Sequence, residues 1–235
     1  MAATTADAAK AQAIGMDEIE FQGQGMGLAL RNGSTDTKRR AVRWMLSKFT
    51  DDVESCNQFI TNILDNDLAP VLIEIMTAHP SLQLQAQTAR LICCMTSSSV
   101  DVQIRLINCG FVQSIVASMQ SSSSDVVSSS LWALYNFSLY ADDTSAALLK
   151  FNGILEQVVE IAKRVAGVDK RLLTVSMACI GNYISLQPTE TQQMMYDLLP
   201  QIKIFLDIAD DEDAVYSMLL GLHKQWHVMG VNREV

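Results

Sequence analysis

Histidine is nearly absent from this chain, and with it go most arrangements of residues that perform chemistry. Three occur in 235 residues, at His79, His223 and His227. The last pair has the four-residue spacing of two zinc ligands on a helix, but Lys224 stands where a metalloprotease carries its basic Glu. The neighbouring acidic run Asp210, Asp211, Glu212 and Asp213 reads as the opening of a helix, where carboxylates favour the N-terminal dipole. No G-x-S-x-G, Walker loop or placed Cys/His pair is present. No catalytic residue, cofactor or metal is therefore expected. Aromatic residues are also scarce, at 6% against 49% apolar overall, so the core is built mainly from Leu, Ile, Val, Ala and Met. Most of the twelve Met residues are expected to fill that core. Cationic residues are outnumbered, giving a formal charge of −9, which disfavours nucleic acid and anionic membranes as main partners and leaves basic ones open. The five cysteines, Cys56, Cys93, Cys94, Cys109 and Cys179, form an odd set without a C-x-x-C pair, as in a reduced compartment. No apolar run reaches the roughly 18 residues of a membrane span. The first twenty-one residues combine no cationic start with an apolar stretch, so the expected location is cytoplasmic or nuclear.

What the chain has instead is a repeat. Apolar segments begin at Leu68, Phe111, Ile154 and Leu198, with starts 43, 43 and 44 residues apart. Each is apolar at its first, fifth and ninth positions: Leu68, Leu72, Met76; Phe111, Ile115, Met119; Ile154, Val158, Ala162; Leu198, Ile202, Leu206. Spacing of four places each trio on one helix face. The turn before the segment repeats too, because Asp67, Gly110, Gly153 and Asp197 share a column where a sharp helix-helix corner requires a left-handed backbone. Pro70 and Pro200 share another, inside the first turn of the helix, where a missing N–H does little harm. A period in the low forties predicts an all-α solenoid of about four to five units, each with a short first helix, the apolar second helix and a longer third helix.

Third helices are expected from about Leu82 to Met95, Val126 to Tyr140, Arg171 to Leu186 and Asp213 to Val228. A further one over Thr35 to Phe49, capped by Ser34 or Thr35, closes an incomplete leading unit. Its cations Lys38, Arg39, Arg40 and Arg43 read as a solvated face. Ser128 to Ser130 fall inside a helix and imply close approach of neighbours. Residues 1–33 are expected to be a flexible N-terminal tail, since Gly23, Gly25, Gly27 and Gly33 accompany few large apolar residues. The GQGMG string misses the G-x-G-x-x-G spacing and reads as a linker. The repeat domain is placed at 34–230, with a short C-terminal tail at 231–235.

The strings NCGFVQSIVASM and FNGILEQVVEIA, followed by SSSLWALYNFSL, resemble the Gly corner, second helix and third helix of the armadillo-repeat family. The resemblance covers residues 34 to about 228. It implies a right-handed superhelix whose concave surface, lined by third helices, binds extended peptides or other proteins. In the nuclear import adaptors called importin-α, successive third helices carry W-x-x-x-N, in which Trp packs on the stems of Lys or Arg and Asn holds the ligand backbone. Trp132 and Asn136 match that motif once; equivalent positions read Trp44 and Lys48, Ala89 and Cys93, Ala178 and Asn182.

The expected function is a non-enzymatic protein-binding scaffold or adaptor subunit of a larger complex. The alternative is an importin-α-like receptor for basic peptides. Groove contacts are expected from Trp44, Lys48, Trp132, Asn136 and Asn182. Contacts at the solenoid end are expected from Leu219, Leu222, Trp226 and Met229, because a terminal unit without a polar cap leaves an apolar face to be covered. The expected partner is a protein or extended peptide, with neither nucleic acid nor membrane.

Overall fold

The computed structural model describes residues 24–139, 153–186, 192–208 and 212–231. They form twelve helices, and no strand occurs among the described residues. In chain order these are α1 (Gln24–Asn32), α2 (Thr35–Leu46), α3 (Val53–Asp65), α4 (Ala69–Ala78), α5 (Leu82–Thr96) and α6 (Val100–Asn108). They continue as α7 (Phe111–Ser118), α8 (Ser124–Leu139), α9 (Ile154–Val165), α10 (Lys170–Leu186), α11 (Gln192–Ile208) and α12 (Glu212–Val231).

The repeating apolar columns form the interior. Leu68, Leu72 and Met76 on and before α4, Phe111, Ile115 and Met119 on and after α7, and Ile154, Val158 and Ala162 on α9 are all buried. In the fourth segment Leu198 and Ile202 are buried but Leu206 is exposed. The long helices pack in sequence, α2 on α5, α5 on α8, α8 on α10 and α10 on α12, while α4 packs against α7 behind them. The result is an all-α solenoid in which each unit covers the apolar stripe of the next. Side chains close the helix starts: Ser34 Oγ accepts from Thr37 N–H at 3.2 Å, Asp52 Oδ1 from Glu54 N–H at 3.2 Å and Ser81 Oγ from Leu84 N–H at 3.4 Å. Units are tied by polar contacts as well. Buried Gln103 on α6 donates through Nε2 to the Thr96 carbonyl at 2.7 Å, satisfying an orphan acceptor at the end of α5.

The corner column holds at three of its four places. Asp67 has φ +56°, Gly110 φ +89° and Gly153 φ +85°. Asp197 does not form a corner: α11 runs unbroken from Gln192 to Ile208, so the first and second helices of the last unit are fused and Pro200 lies in the helix interior. Pro70 does sit in the first turn of α4.

The N-terminal boundary also differs from expectation. Gln24–Asn32 is helical, with Met26, Ala29 and Leu30 buried, and it packs on α2 and α4 as the second helix of the leading unit. Counting back 43 residues from Leu68 gives Gly25, Ala29 and Gly33 in the repeating column, so the positions that reveal the other units carry no bulk here. At Gly27 a Cβ would meet only the mobile end of Arg31, at 3.0 Å, and Leu68 at an ordinary contact distance of 3.5 Å. Residues 1–23, the expected first helix of the third unit and the 232–235 end lie outside the described residues.

Candidate binding groove

Between α5 and α8, reaching the start of α10, runs an open groove of about 760 Å³. The helical spacing builds its walls. Gln83, Gln87 and Arg90 recur on one face of α5 at intervals of four and three, and Asp125, Ser128, Ser129 and Trp132 do the same on α8. Ser128 is buried, and its small side chain leaves room for the floor. At the rim Arg171 of α10 pairs with Asp125 at 2.8 Å. Arg39 of α2 pairs with Asp36 and donates to Gln83 Oε1 at 3.3 Å.

Trp132 stands half-buried in this groove, its ring edge-on to Tyr135 at 5.3 Å and 89°. Asn136, four residues on, faces the packing between helices. Its Nδ2 donates to the Cys93 carbonyl at 3.3 Å, Thr96 Oγ1 at 3.1 Å and Ser97 Oγ at 2.9 Å, closing the C-terminal turn of α5. Asn182 repeats the pattern one unit later: it is buried and donates to Ser138 Oγ at 3.0 Å. Trp44 lies elsewhere, edge-on to Phe59 at 6.0 Å, with Lys48 Nζ over its ring at 4.6 Å. The structure thus brings only Trp132 of the five expected groove residues into the groove lining.

Of the expected end contacts, Leu219 is exposed on α12 and Leu222 is half-buried against the core. Trp226 and Met229 fall on the same helix, with side chains outside the described residues. The pattern of columns did not single out Arg90 and Gln87. The residue beside Arg90, Ala89, was aligned with tryptophan, yet Ala89 is buried and Arg90 is the exposed member of the pair.

The groove also holds two thiols. Cys93 and Cys94 line it, but burial pushes the Cys93 thiol up to about 12 and raises Cys94 as well, outweighing the opposing charge of Arg90. Both are therefore protonated at neutral pH and offer no thiolate nucleophile. Among the described residues no group of three or more His, Cys, Asp or Glu is placed to hold a metal, and no helix is long and apolar enough to cross a membrane.

No family model and no curated protein matches the chain. Solved structures do. A designed armadillo repeat protein in complex with the peptide (KR)4 is 16% identical and superimposes with a TM-score of 0.69, covering 91% of this chain and 86% of that one. A computationally designed armadillo repeat protein for modular peptide recognition is 14% identical, with a TM-score of 0.69 and 92% of each chain covered. A third designed armadillo repeat protein is 12% identical at a TM-score of 0.62, covering 85% of this chain and 98% of that one. With its helical units, left-handed corners and ladder of long helices, this chain has the armadillo-like repeat fold.

Proposed function

We propose that this protein is a non-enzymatic scaffold or adaptor subunit that holds a partner protein, in the cytoplasm or nucleus, through the groove between α5 and α8. The observation that carries this reading is the open 760 Å³ groove lined in part by a half-buried indole, on a fold whose solved neighbours include one bound to a peptide. The groove offers an apolar aromatic face, amide groups and cations, and no activated nucleophile or base, which suits holding a chain rather than transforming it.

A receptor for basic peptides, built as in importin-α, draws support from Trp132 alone. Against it stand Asn136 and Asn182, whose amides are committed to neighbouring helices, and Lys48, which occupies the face of Trp44. The end of the solenoid is a second docking candidate, because Leu199, Tyr216 and Leu219 are exposed on its last two helices.

The test is recovery of the tagged full chain from its native source, with co-purifying proteins quantified for wild type and Trp132→Ala. A partner present with wild type and depleted with Trp132→Ala supports the groove. A partner held equally by both, but released by Leu219→Glu, moves the contact to the end of the stack. An isolated chain that is a stable, monodisperse monomer and retains no protein at all refutes the scaffold reading.

A further inference from the structure

Resting on that groove reading, we propose that the occupant is an extended acidic segment of the partner, with a carboxylate on Arg90, a main-chain N–H on Gln87 and an apolar side chain on Trp132. The argument begins with charge. The chain as a whole carries −9, yet the groove lining contains Arg90 and Arg171 against a single anion, Asp125, which is already paired with Arg171. Arg90 is exposed and has no ion-pair partner among the described residues. An exposed, unpaired cation in a groove of an acidic protein selects a ligand of the opposite sign, because like-charged segments are repelled at the site and opposite ones are drawn to it.

A second feature concerns the ligand's backbone. Gln87 Oε1 is buried in the groove wall with no hydrogen-bond partner. Buried acceptors in folded proteins are nearly always paired, and an extended segment supplies a main-chain N–H at every second residue on one side. Arg90 lies three residues along the same helix face, so one ligand residue can bond Gln87 through its backbone while a neighbouring carboxylate meets the guanidinium.

The length of the segment follows from α12. Over α10, residues 172–184 are all buried, and α12 reaches past that helix to α8, where Tyr135 Oη lies 3.4 Å from Ser217 Oγ. The open floor therefore spans α5 and α8 and ends at exposed Arg171 in the first turn of α10, two helix spacings in all. At roughly 8–10 Å between helices this is about 20 Å, or about six extended residues at roughly 3.3 Å each.

The test uses the immobilised full chain and a displayed library of random dodecapeptides, keeping clones that bind wild type and not Trp132→Ala. The expected clones carry an Asp- or Glu-rich core of about six residues. A synthetic peptide of that sequence should bind at least tenfold more weakly to Arg90→Glu, severalfold more weakly to Gln87→Leu, and less tightly as salt rises. Arg90 is exposed, so the thermal midpoint of Arg90→Glu should match wild type and exclude misfolding. Clones rich in Lys or Arg, or affinity untouched by Arg90→Glu, overturn the acidic assignment and leave the groove reading standing. Absence of any Trp132-dependent clone overturns both. A twelve-nucleotide oligothymidylate that binds and is lost on Arg90→Glu would overturn the peptide in favour of nucleic acid.

Discussion

The contact between α10 and α12 makes the sharpest stability test. Gly181 and Gly221 face each other there: a Cβ on Gly181 would stand 2.6 Å from the Met218 Cα and closer still to the Ser217 carbonyl, while one on Gly221 would stand 2.5 Å from the Gly181 carbonyl oxygen. These neighbours are backbone and cannot swing aside. Gly181→Ala must push the helices apart by roughly 1 Å to restore ordinary contact, forfeiting about a quarter to a half of the dispersion energy of each pair across the seam. Overpacking of this kind costs about 1–3 kcal/mol or more, and the upper part of that range applies because α10 is buried along 172–184. Alanine's better helix propensity returns about 1 kcal/mol. The net expectation is a loss of about 2 kcal/mol, read as a lower urea midpoint by circular dichroism and as faster amide exchange concentrated in α12. Gly221→Ala should behave alike, and the double variant should lose less than the sum, since the first substitution has already opened the seam. Stabilisation of Gly181→Ala by about 1 kcal/mol, as propensity alone dictates, would refute the close crossing.

Three further outcomes follow from single sites. Gly153→Ala places its methyl in open space, so only the backbone at φ +85° resists it; urea unfolding should show a loss of about 1–2 kcal/mol, and an unchanged midpoint would contradict the left-handed corner. Pro200→Ala should stabilise the protein by about 1–3 kcal/mol, because a proline inside α11 removes one intrahelical hydrogen bond and crowds the preceding turn. Had a corner stood at Asp197, with Pro200 in the first turn, thermal unfolding would show no gain. Among the cysteines, Cys109 is exposed and should react first with a disulfide reagent at pH 8, whereas Cys93, with its thiol near 12, carries about one thiolate in ten thousand there and should react orders of magnitude more slowly. Rapid modification of Cys93 in the native protein, mapped by peptide mass, would contradict its burial.

The architecture was legible because two independent signals share one period: apolar columns at Leu72, Ile115 and Val158, and corners at Asp67, Gly110 and Gly153. Where bulk is missing from the columns, the period is silent. Gly25 and Ala29 occupy them in α1, and a helix that packs through small residues reads as a linker. The last unit deceived in the opposite way. Asp197 and Pro200 keep their columns, yet neither residue type compels a corner, and the chain continues as one helix. The groove was legible to the level of its helices but less so in its side chains. A column alignment ranks residues by type, while exposure depends on a rotation of about 100° per residue, which is the step from buried Ala89 to exposed Arg90.

That same rotation, together with the path of α12, explains why a tryptophan stands open in only one described unit of the ladder. At the position equivalent to Trp132 in the next unit, Ala178 is fully buried where α8 and α12 close around α10, leaving no room for an indole. In the leading unit Trp44 turns toward Phe59 and is covered by Lys48, so its face already carries a cation of its own chain. The asparagines, meanwhile, bond neighbouring helices in both units that have them, which makes them ties between repeats. One open indole among the described side chains does not provide the regularly spaced pockets that a long, repetitive ligand requires. Under the proposed reading it anchors a short segment once, and Arg90 and Gln87 on the facing helix select which segment that is.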